Sequence, residues 1–294
     1  MKQTTLLIGL AIVIIFLLIG AELYFSYADF GQDNPFWNGM GSLSSDINAQ
    51  PLYSDSSLSS LGSHNTLLIM SPTVNYTAEE SNEVLSFLDR GGKVVVMDDF
   101  ERSDSLLSAI GSPVLVDPIP MCQYDNYYVN QSCPIITNFS QSAYFDNVSS
   151  IVMNYPAILN VSGGNVLATT SDMAWLDYSD DSQMDNNVSV STYPVIAAVN
   201  YNGAGQLIVI SDPDIFINGM LDKGNNQAFM SNLLSGAVWV DVSHGRGITP
   251  LGVFYFLVRG QVLVQLLLAL FVLACGLAFV ERKTIMGFLN RKNR

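Results

Sequence analysis

The chain has 294 residues, of which 49% are apolar and 13% are charged, and its mean hydropathy is +0.30. The apolar content excludes a disordered chain, and so small a charged fraction is unusual for an ordinary soluble domain. Asp and Glu outnumber Lys and Arg by 26 to 12, which gives a net charge of −14. Nucleic-acid binding is therefore excluded as a function class, because phosphate contacts need clustered cations.

Two uncharged apolar segments lie near the chain ends, residues 4–21 and residues 262–280, and only the polar Gln265 interrupts the second. About 20 apolar residues are needed to cross the hydrocarbon core of a bilayer. We therefore expect transmembrane helices over residues 1–21 and 262–280. A cleaved signal peptide is the alternative for the first segment, since Lys2 precedes an apolar run that ends at Gly20-Ala21.

The distribution of cations predicts the side of the membrane that each part occupies. The tail, residues 281–294, has five Lys and Arg against one Glu, and Lys2 lies beside the N-terminus. Positive flanks are typical of the cytoplasmic side. We expect a two-pass protein of the cell membrane with both termini cytoplasmic and an extracellular central domain. A juxtamembrane segment, residues 243–261, would join this domain to the second helix.

Sequons and cysteines are both typical of an exterior domain. Cys122 and Cys133 predict one disulfide that closes a short loop, and two free thiols or half of a metal site are the alternatives. The six glycosylation candidates with an N-x-S/T pattern are Asn75, Asn130, Asn138, Asn147, Asn160 and Asn187.

The strongest local pattern predicts a β-α-β unit. After a membrane-proximal linker with a short helix, residues 22–65, the apolar run at residues 66–70 predicts a buried strand. Thr77 and Glu80 form the pattern of a capping box, and Gly91 is suited to end the helix. Residues 93–97 predict a second buried strand, which would be parallel to the first.

The rest of the predicted α/β domain, residues 66–242, combines regular elements with an irregular insertion. A short helix over residues 104–110 and a strand at 114–116 come first. The insertion, residues 117–161, is rich in Tyr, Asn and Ser and has a short strand near residues 151–153. Further strands are predicted at residues 166–170, 193–199 and 206–210, with a hairpin-like turn between the last two. A helix beginning near Asn225 and ended by Gly236 follows, and residues 237–242 then lead back toward the membrane.

Two stretches of the chain carry motifs of a known family. They contain Ser71-Pro72, Glu79-Glu80, Asp89-Arg90-Gly91-Gly92-Lys93, Asp98-Asp99-Phe100, the run from Gly203 to Asn218, and Asn226-Gln227-Ala228-Phe229. Over roughly residues 67–234 the chain resembles the membrane-anchored domain of unknown function 4350. The resemblance implies a class I glutamine-amidotransferase-like, flavodoxin-like fold with a mostly parallel sheet, helices on both faces and two flanking transmembrane helices. It also implies similarity to the extracytoplasmic part of gliding-motility-type transporter proteins, an accessory role without established activity, and an archaeal source.

The enzymes of that fold need a cysteine on a glycine-flanked turn after a strand, with a histidine partner. Here Ser71 and Pro72 follow the first strand, and the chain has only two histidines, His64 and His244. We expect both histidines in solvated loops. The sequence therefore predicts that the protein is not an enzyme and has no cofactor.

Acidic residues are the remaining candidates for chemistry. Asp98 and Asp99 end one predicted strand, and Asp212 and Asp214 end another. If these strands are parallel neighbours, the four carboxylates meet at one sheet edge and are candidate contacts for a ligand or cation, although structural turn caps are the simpler interpretation. An acidic run between residues 177 and 185 predicts a solvated loop.

Three aromatic residues suggest either a sugar-stacking surface or core packing, and we favour core packing: Trp37, Trp175 and Tyr178.

The leading functional prediction is a non-enzymatic interaction, sensing or accessory module for a membrane or ATPase/transport system. Its expected partners are the lipid bilayer and a membrane protein or an ATPase/transport subunit, but no nucleic acid. A substrate-binding subunit of a transporter is one alternative. A metal-assisted extracellular hydrolase that uses the four carboxylates is the other.

Overall fold

The computed structural model describes residues 9, 12, 13, 27–53, 55–245, 263–271 and 274. The chain divides into two compact units, one of Met1–Phe25 with Ile248–Arg294 and one of Ser26–Gly247. In the first unit, residues 263–271 are helical. The second unit contains the α/β fold.

The predicted transmembrane helices are contradicted. Within the part of the chain that the structure describes, no helix has the length and apolar character that a membrane crossing requires. Most of residues 4–21 and 262–280, on which the prediction was made, lies outside the described residues, as does the tail, residues 281–294. The predicted two-pass topology and cell-membrane location were derived from these helices and are contradicted as well.

The fold is built on one eight-stranded, mixed sheet that is parallel over its first five strands. In spatial order, the parallel strands are β1 (Gln50–Leu52), β14 (Val238–Asp241), β2 (Thr66–Met70), β3 (Lys93–Met97) and β13 (Gln206–Ile210). Three strands, each antiparallel to its neighbour, complete the sheet: β12 (Pro194–Asn200), β10 (Asn165–Thr169) and β7 (Asn138–Phe139).

The predicted β-α-β unit is confirmed. β2 and β3 are parallel with Thr66 opposite Lys93, and α2 (Ala78–Asp89) connects them. Thr77 and Glu80 form the complete capping box, in which each side chain accepts the other's backbone N–H. The bonds from Thr77 are the main reason why the pKa of Glu80 lies below its usual value.

Helices cover both faces of the sheet because successive strand residues alternate between two apolar cores. Leu67 and Ile69 of β2 contribute to one core, and Leu68 and Met70 contribute to the other. The first core includes residues of α2 and of α3 (Asp104–Ala109). The second includes residues of α1 (Gly41–Asp46) and of α4 (Asn226–Leu233).

Residues 27–65 belong to the compact unit and are more than a linker. β1 forms an edge of the sheet beside β14, and the α1 side chain of Leu43 is fully buried. Asn218 also accepts from the backbone N–H of Ser42 and donates to the carbonyl of Asn34. The domain therefore begins well before residue 66, its predicted start.

The insertion contains more strands than the sequence predicted. Besides β7, it forms three two-stranded sheets with neighbouring segments. These pair β4 (Val114–Asp117) with β9 (Ile158–Val161), β5 (Met121–Gln123) with β11 (Ala174–Leu176), and β6 (Ile135–Ile136) with β8 (Ile151–Val152).

The predicted disulfide is wrong, because Cys122 and Cys133 are both free and buried. Their sulfur atoms have separate partners: Cys122 Sγ lies 3.3 Å from Ser132 Oγ, and Cys133 Sγ donates to Asn154 Oδ1 at 3.5 Å. Burial is the main cause that raises the pKa of both thiols. The two residues therefore act as small buried side chains inside the insertion.

Candidate interaction surface

The four candidate carboxylates lie at the carboxyl ends of β3 and β13, which are parallel neighbours. Asp98 is fully buried, and its carboxylate accepts from the backbone N–H groups of Phe100 and Ser103 and from the Ser103 hydroxyl. These bonds hold the turn that leads into α3. Asp99 follows Asp98 and is only partly buried.

Asp212 and Asp214 fix the insertion to the end of β13. Asp212 is fully buried and accepts from the backbone N–H groups of Asn154 at 2.7 Å and of Asp214 at 2.8 Å. Asp214 accepts from the side-chain amide of Asn154 at 2.6 Å. Burial, and then the charge of Asp214, raises the pKa of Asp212 well above its usual value. This pair therefore holds a loop in place.

The geometry gives these carboxylates positional roles. Both oxygens of Asp98 and both oxygens of Asp212 accept hydrogen bonds from neighbouring loops. Among the described residues there is no group of three or more His, Cys, Asp or Glu side chains that could hold a metal ion. Structural turn caps, the simpler of the two sequence interpretations, fit these bonds.

The backbone is unusual at the carboxyl end of β2. Ser71 follows β2 directly, has a positive φ of 41° and is fully buried. Its hydroxyl has no hydrogen-bond partner within the described parts of the chain. The ring nitrogens of His244 face Asp241 and Glu80.

His244 is buried, so the prediction of a solvated loop is wrong for this residue. Only 4% of it is exposed, and its Nδ1 lies 2.8 Å from Asp241 Oδ2. Its Nε2 lies 3.4 Å from Glu80 Oε2, and its ring stacks on Tyr76 with centroids 3.7 Å apart. The Tyr76 hydroxyl donates to Asp241 as well. This cluster ties the segment after β14 to the start of α2.

His64 is exposed, and it lines a cavity of about 290 Å³ at the amino ends of β2, β3 and β13. Lys93 also lines this cavity. Its ammonium group donates to the Leu233 carbonyl and the Ser235 hydroxyl, both at 3.0 Å, and lies 5.1 Å from the Tyr144 ring centroid. Burial lowers the pKa of Lys93. Lys93 therefore serves to cap the carboxyl end of α4.

Five of the eleven exposed aromatic residues in the described part of the chain lie on the insertion and the loop after β11. Their exposed fractions range from 40% to 63%. We use the name insertion surface for these aromatic residues together with the exposed carboxylates between them. The tyrosines are Tyr124, Tyr127, Tyr128, Tyr155 and Tyr178, and the carboxylates are Asp125, Asp172, Asp180, Asp181 and Asp185.

Hydrogen bonds join the segments of the insertion surface into one unit. The backbone N–H of Tyr124 donates to the carbonyl of Met173 at 3.1 Å, and that of Tyr155 donates to the carbonyl of Ser132 at 2.8 Å. The hydroxyls of Ser132 and Ser182 lie 2.7 Å apart. The tyrosines are therefore presented on a fixed base, although residues of regular secondary structure are few.

Trp175 is the buried side chain on which part of the insertion surface packs. It is fully buried, as the sequence interpretation of core packing predicted, and the Tyr124 ring packs against it with centroids 4.2 Å apart. Tyr178 and Trp37, by contrast, are 63% and 71% exposed, so core packing is wrong for these two residues.

The acidic run after β11 is partly a structural element. Asp177 is buried, and its carboxylate accepts from the backbone N–H groups of Asp181 at 3.3 Å and Ser182 at 2.7 Å. Asp180, Asp181 and Asp185 are exposed, as a solvated loop requires. Asp177 therefore folds the loop that displays the other three carboxylates.

The sequence does contain one signal for this region, a long stretch without basic residues. The net charge of the whole chain does not reveal it. Between Arg102 and Lys223 there are 120 consecutive residues without Lys, Arg or His, and they include 12 Asp. The compact unit, residues 26–247, contains 24 Asp and Glu against 5 Lys and Arg, a net charge of −19. The insertion surface thus lies in a stretch with acidic residues and no cation of its own. All six predicted glycosylation candidates are exposed, and their modification stays a prediction.

A comparison with known families gives one match. The model of the family described as Domain of unknown function (DUF4350) matches residues 45–234. The chain belongs to this family. No curated protein matches the chain. Neither the family match nor the structural match below supports a class I glutamine-amidotransferase-like nature, a membrane anchor or an archaeal origin.

Among solved structures, the chain is similar to one titled "mmIFT52 N-terminal domain". The two are 17% identical with a TM-score of 0.51, over 67% of this chain and 91% of that one. At this identity the likeness shows a shared α/β fold.

Proposed function

We propose that this protein is a non-enzymatic interaction module and that its insertion surface binds a protein partner. The observation that carries the proposal is the group of five exposed tyrosines on a hydrogen-bonded base. Tyrosine is enriched at protein interfaces because it contributes a large apolar area and a polar group at low conformational cost. Scattered exposed aromatics need no explanation, but a group within one structural unit does.

The roles of the polar side chains support a binding function over catalysis. Asp98, Asp212 and Asp214 hold turns and the insertion, and the ring nitrogens of His244 face the carboxylates of Asp241 and Glu80. A catalytic set needs a nucleophile within reach of its base. An ATPase or transport subunit stays the predicted class of partner.

The test is partner capture by the full chain from extracts of its source cells. The variant Tyr127→Ser/Tyr128→Ser removes two aromatic side chains whose rings are 43% and 50% exposed. Val74→Ser removes an apolar side chain that is 58% exposed and lies outside the insertion surface, so it serves as the matched control.

We expect a specific protein that the wild type and the Val74 variant retain and the double tyrosine variant loses. Unfolding curves of the three proteins should coincide, because exposed substitutions change stability little. Equal capture by all three proteins would refute the proposal.

A further inference from the structure

We infer that the partner segment on the insertion surface is a cationic, arginine-rich stretch of polypeptide. This inference rests on the proposed function and adds the chemistry of the occupant. It combines two properties of the same surface, its exposed tyrosine rings and its unbalanced negative charge.

The segments that form the surface supply no cation of their own. None of the residues from Ser103 to Asp222 is basic. Lys223, the first cation after this stretch, is paired with Asp222 at 2.8 Å and also interacts electrostatically with Tyr128. The carboxylates of the surface outnumber this cation, and the excess negative charge favours a cationic partner.

The loop after β11 holds several carboxylates around one hydroxyl group. Ser179 Oγ lies 3.1 Å from an oxygen of Asp181 and 3.4 Å from oxygens of both Asp177 and Asp185. A serine hydroxyl has a single proton, so it can donate to only one of the three carboxylates at a time. The arrangement favours a ligand that brings additional donors.

The tyrosines indicate which cation fits. A guanidinium group stacks on an aromatic face and at the same time donates two parallel hydrogen bonds to a carboxylate. The segments of the surface expose both tyrosine rings and carboxylates, among them Tyr178 and Asp180. An arginine-rich segment can therefore use both kinds of group on this surface, whereas lysine supplies only a point charge.

Other occupants fit the surface less well. Nucleic acid and anionic lipid carry the same sign of charge as the surface and would be repelled. A divalent metal ion needs several ligands converging on one point, and the described residues contain no such group of three or more His, Cys, Asp or Glu side chains.

The test uses the full chain and two fluorescent peptides of equal length, one with repeated Arg-Gly-Ser and one with repeated Glu-Gly-Ser. Binding is measured by fluorescence anisotropy at 50 and 300 mM NaCl. We expect the arginine peptide alone to bind, with affinity that falls at least about tenfold at the higher salt concentration.

Two charge variants provide the decisive comparison. Asp180→Asn/Asp181→Asn/Asp185→Asn removes three carboxylates from the insertion surface. Glu79→Gln/Glu83→Gln/Asp89→Asn changes the net charge equally but lies on α2. We expect about tenfold weaker binding for the first variant, since each exposed ion pair contributes a factor of roughly 1.5 to 5, and little change for the second.

Equal loss in both triple variants would show attraction by net charge alone and would overturn the inference. Competition by millimolar Ca²⁺ at constant ionic strength would assign the surface to a metal ion and also overturn it. If the arginine peptide does not bind while cell-partner capture still depends on Tyr127 and Tyr128, this inference fails and the proposed function stands. The opposite outcome is that the peptide binds through the three carboxylates while the double tyrosine variant captures the cell partner as well as the wild type does. In that case the inference stands and the proposed function fails.

Discussion

Removing one hydroxyl group from the Tyr76 side chain should destabilise the domain measurably. Tyr76 is 7% exposed, and its hydroxyl donates to the buried carboxylate of Asp241. Tyr76→Phe deletes this bond but retains the ring that stacks on His244. A hydrogen bond to a charged group contributes roughly 1.5–3 kcal/mol. Asp241 keeps donors from Ser243 and His244 at 2.6 to 2.8 Å, so we expect a loss of about 1.5–2 kcal/mol, the lower part of that range.

The loss should depend on pH with a sign that follows from Asp241. Burial opposes ionisation of Asp241, but hydrogen bonds and charge from His244, with bonds from Ser243 and Tyr76, outweigh it and lower the pKa. A carboxyl group with a lowered folded pKa stabilises the protein above its unfolded pKa, and this stability is lost as pH falls through the folded pKa. The difference between wild type and Tyr76→Phe should therefore be full at pH 7 and smaller at a pH below the folded pKa of Asp241.

The assay is equilibrium urea unfolding of the full chain, followed by tryptophan fluorescence at both pH values. Tyr201→Phe is the control, because its hydroxyl donates to an uncharged acceptor, the Ile110 carbonyl, at 3.2 Å. This control should lose about 1 kcal/mol or less at either pH. A loss for Tyr76→Phe that is no larger than the control at pH 7, or that does not change with pH, would refute the reasoning.

Three further predictions concern the cap of α2, the half-buried carboxyl group of Asp104 and the two thiols. Thr77→Ala should lower the free energy of unfolding by about 1 kcal/mol in urea unfolding, because it removes the capping box of α2. Burial is the main cause that raises the pKa of Asp104 to about 6, so the folded state loses stability as pH rises from 4 to 6; the melting temperature of Asp104→Asn should lack this fall. Without reductant, Cys122 and Cys133 should both react with maleimide in denaturant, as counted by mass spectrometry, and slowly in the folded protein.

The central strands were predictable because their signals are local. β2, β3 and β13 begin and end at the residues predicted for them, since each is a continuous apolar run between turn-forming residues. Thr77 with Glu80 likewise determines where α2 begins. The crossover rule then requires that β2 and β3 be parallel, without information from distant residues.

The parts that sequence reasoning missed depend on distant contacts. β1 carries a proline and only one buried residue, and it exists because β14 offers it a parallel neighbour some 190 residues later in the chain. The burial of His244 requires Tyr76 and Glu80, which come from the other end of the domain. Cys122 and Cys133 have an even count and close spacing, but these properties do not determine where two sulfur atoms point.

The insertion surface could not be predicted from a short local pattern, as the central strands were. Its sequence signal is a charge imbalance spread over a long stretch of the chain. Net charge averages over segments of opposite sign, since residues 26–247 have a charge of −19 and the remainder has 2 acidic against 7 basic residues. A protein gains no folding stability from 120 residues without a single cation, because like charges at its surface oppose the compact state. The absence of cations from this stretch is therefore better explained by binding to a partner than by folding stability. Asp212 and Asp214 attach the insertion to the end of β13. The exposed carboxylates and tyrosines of the insertion surface are the groups that we infer to recognise a cationic partner.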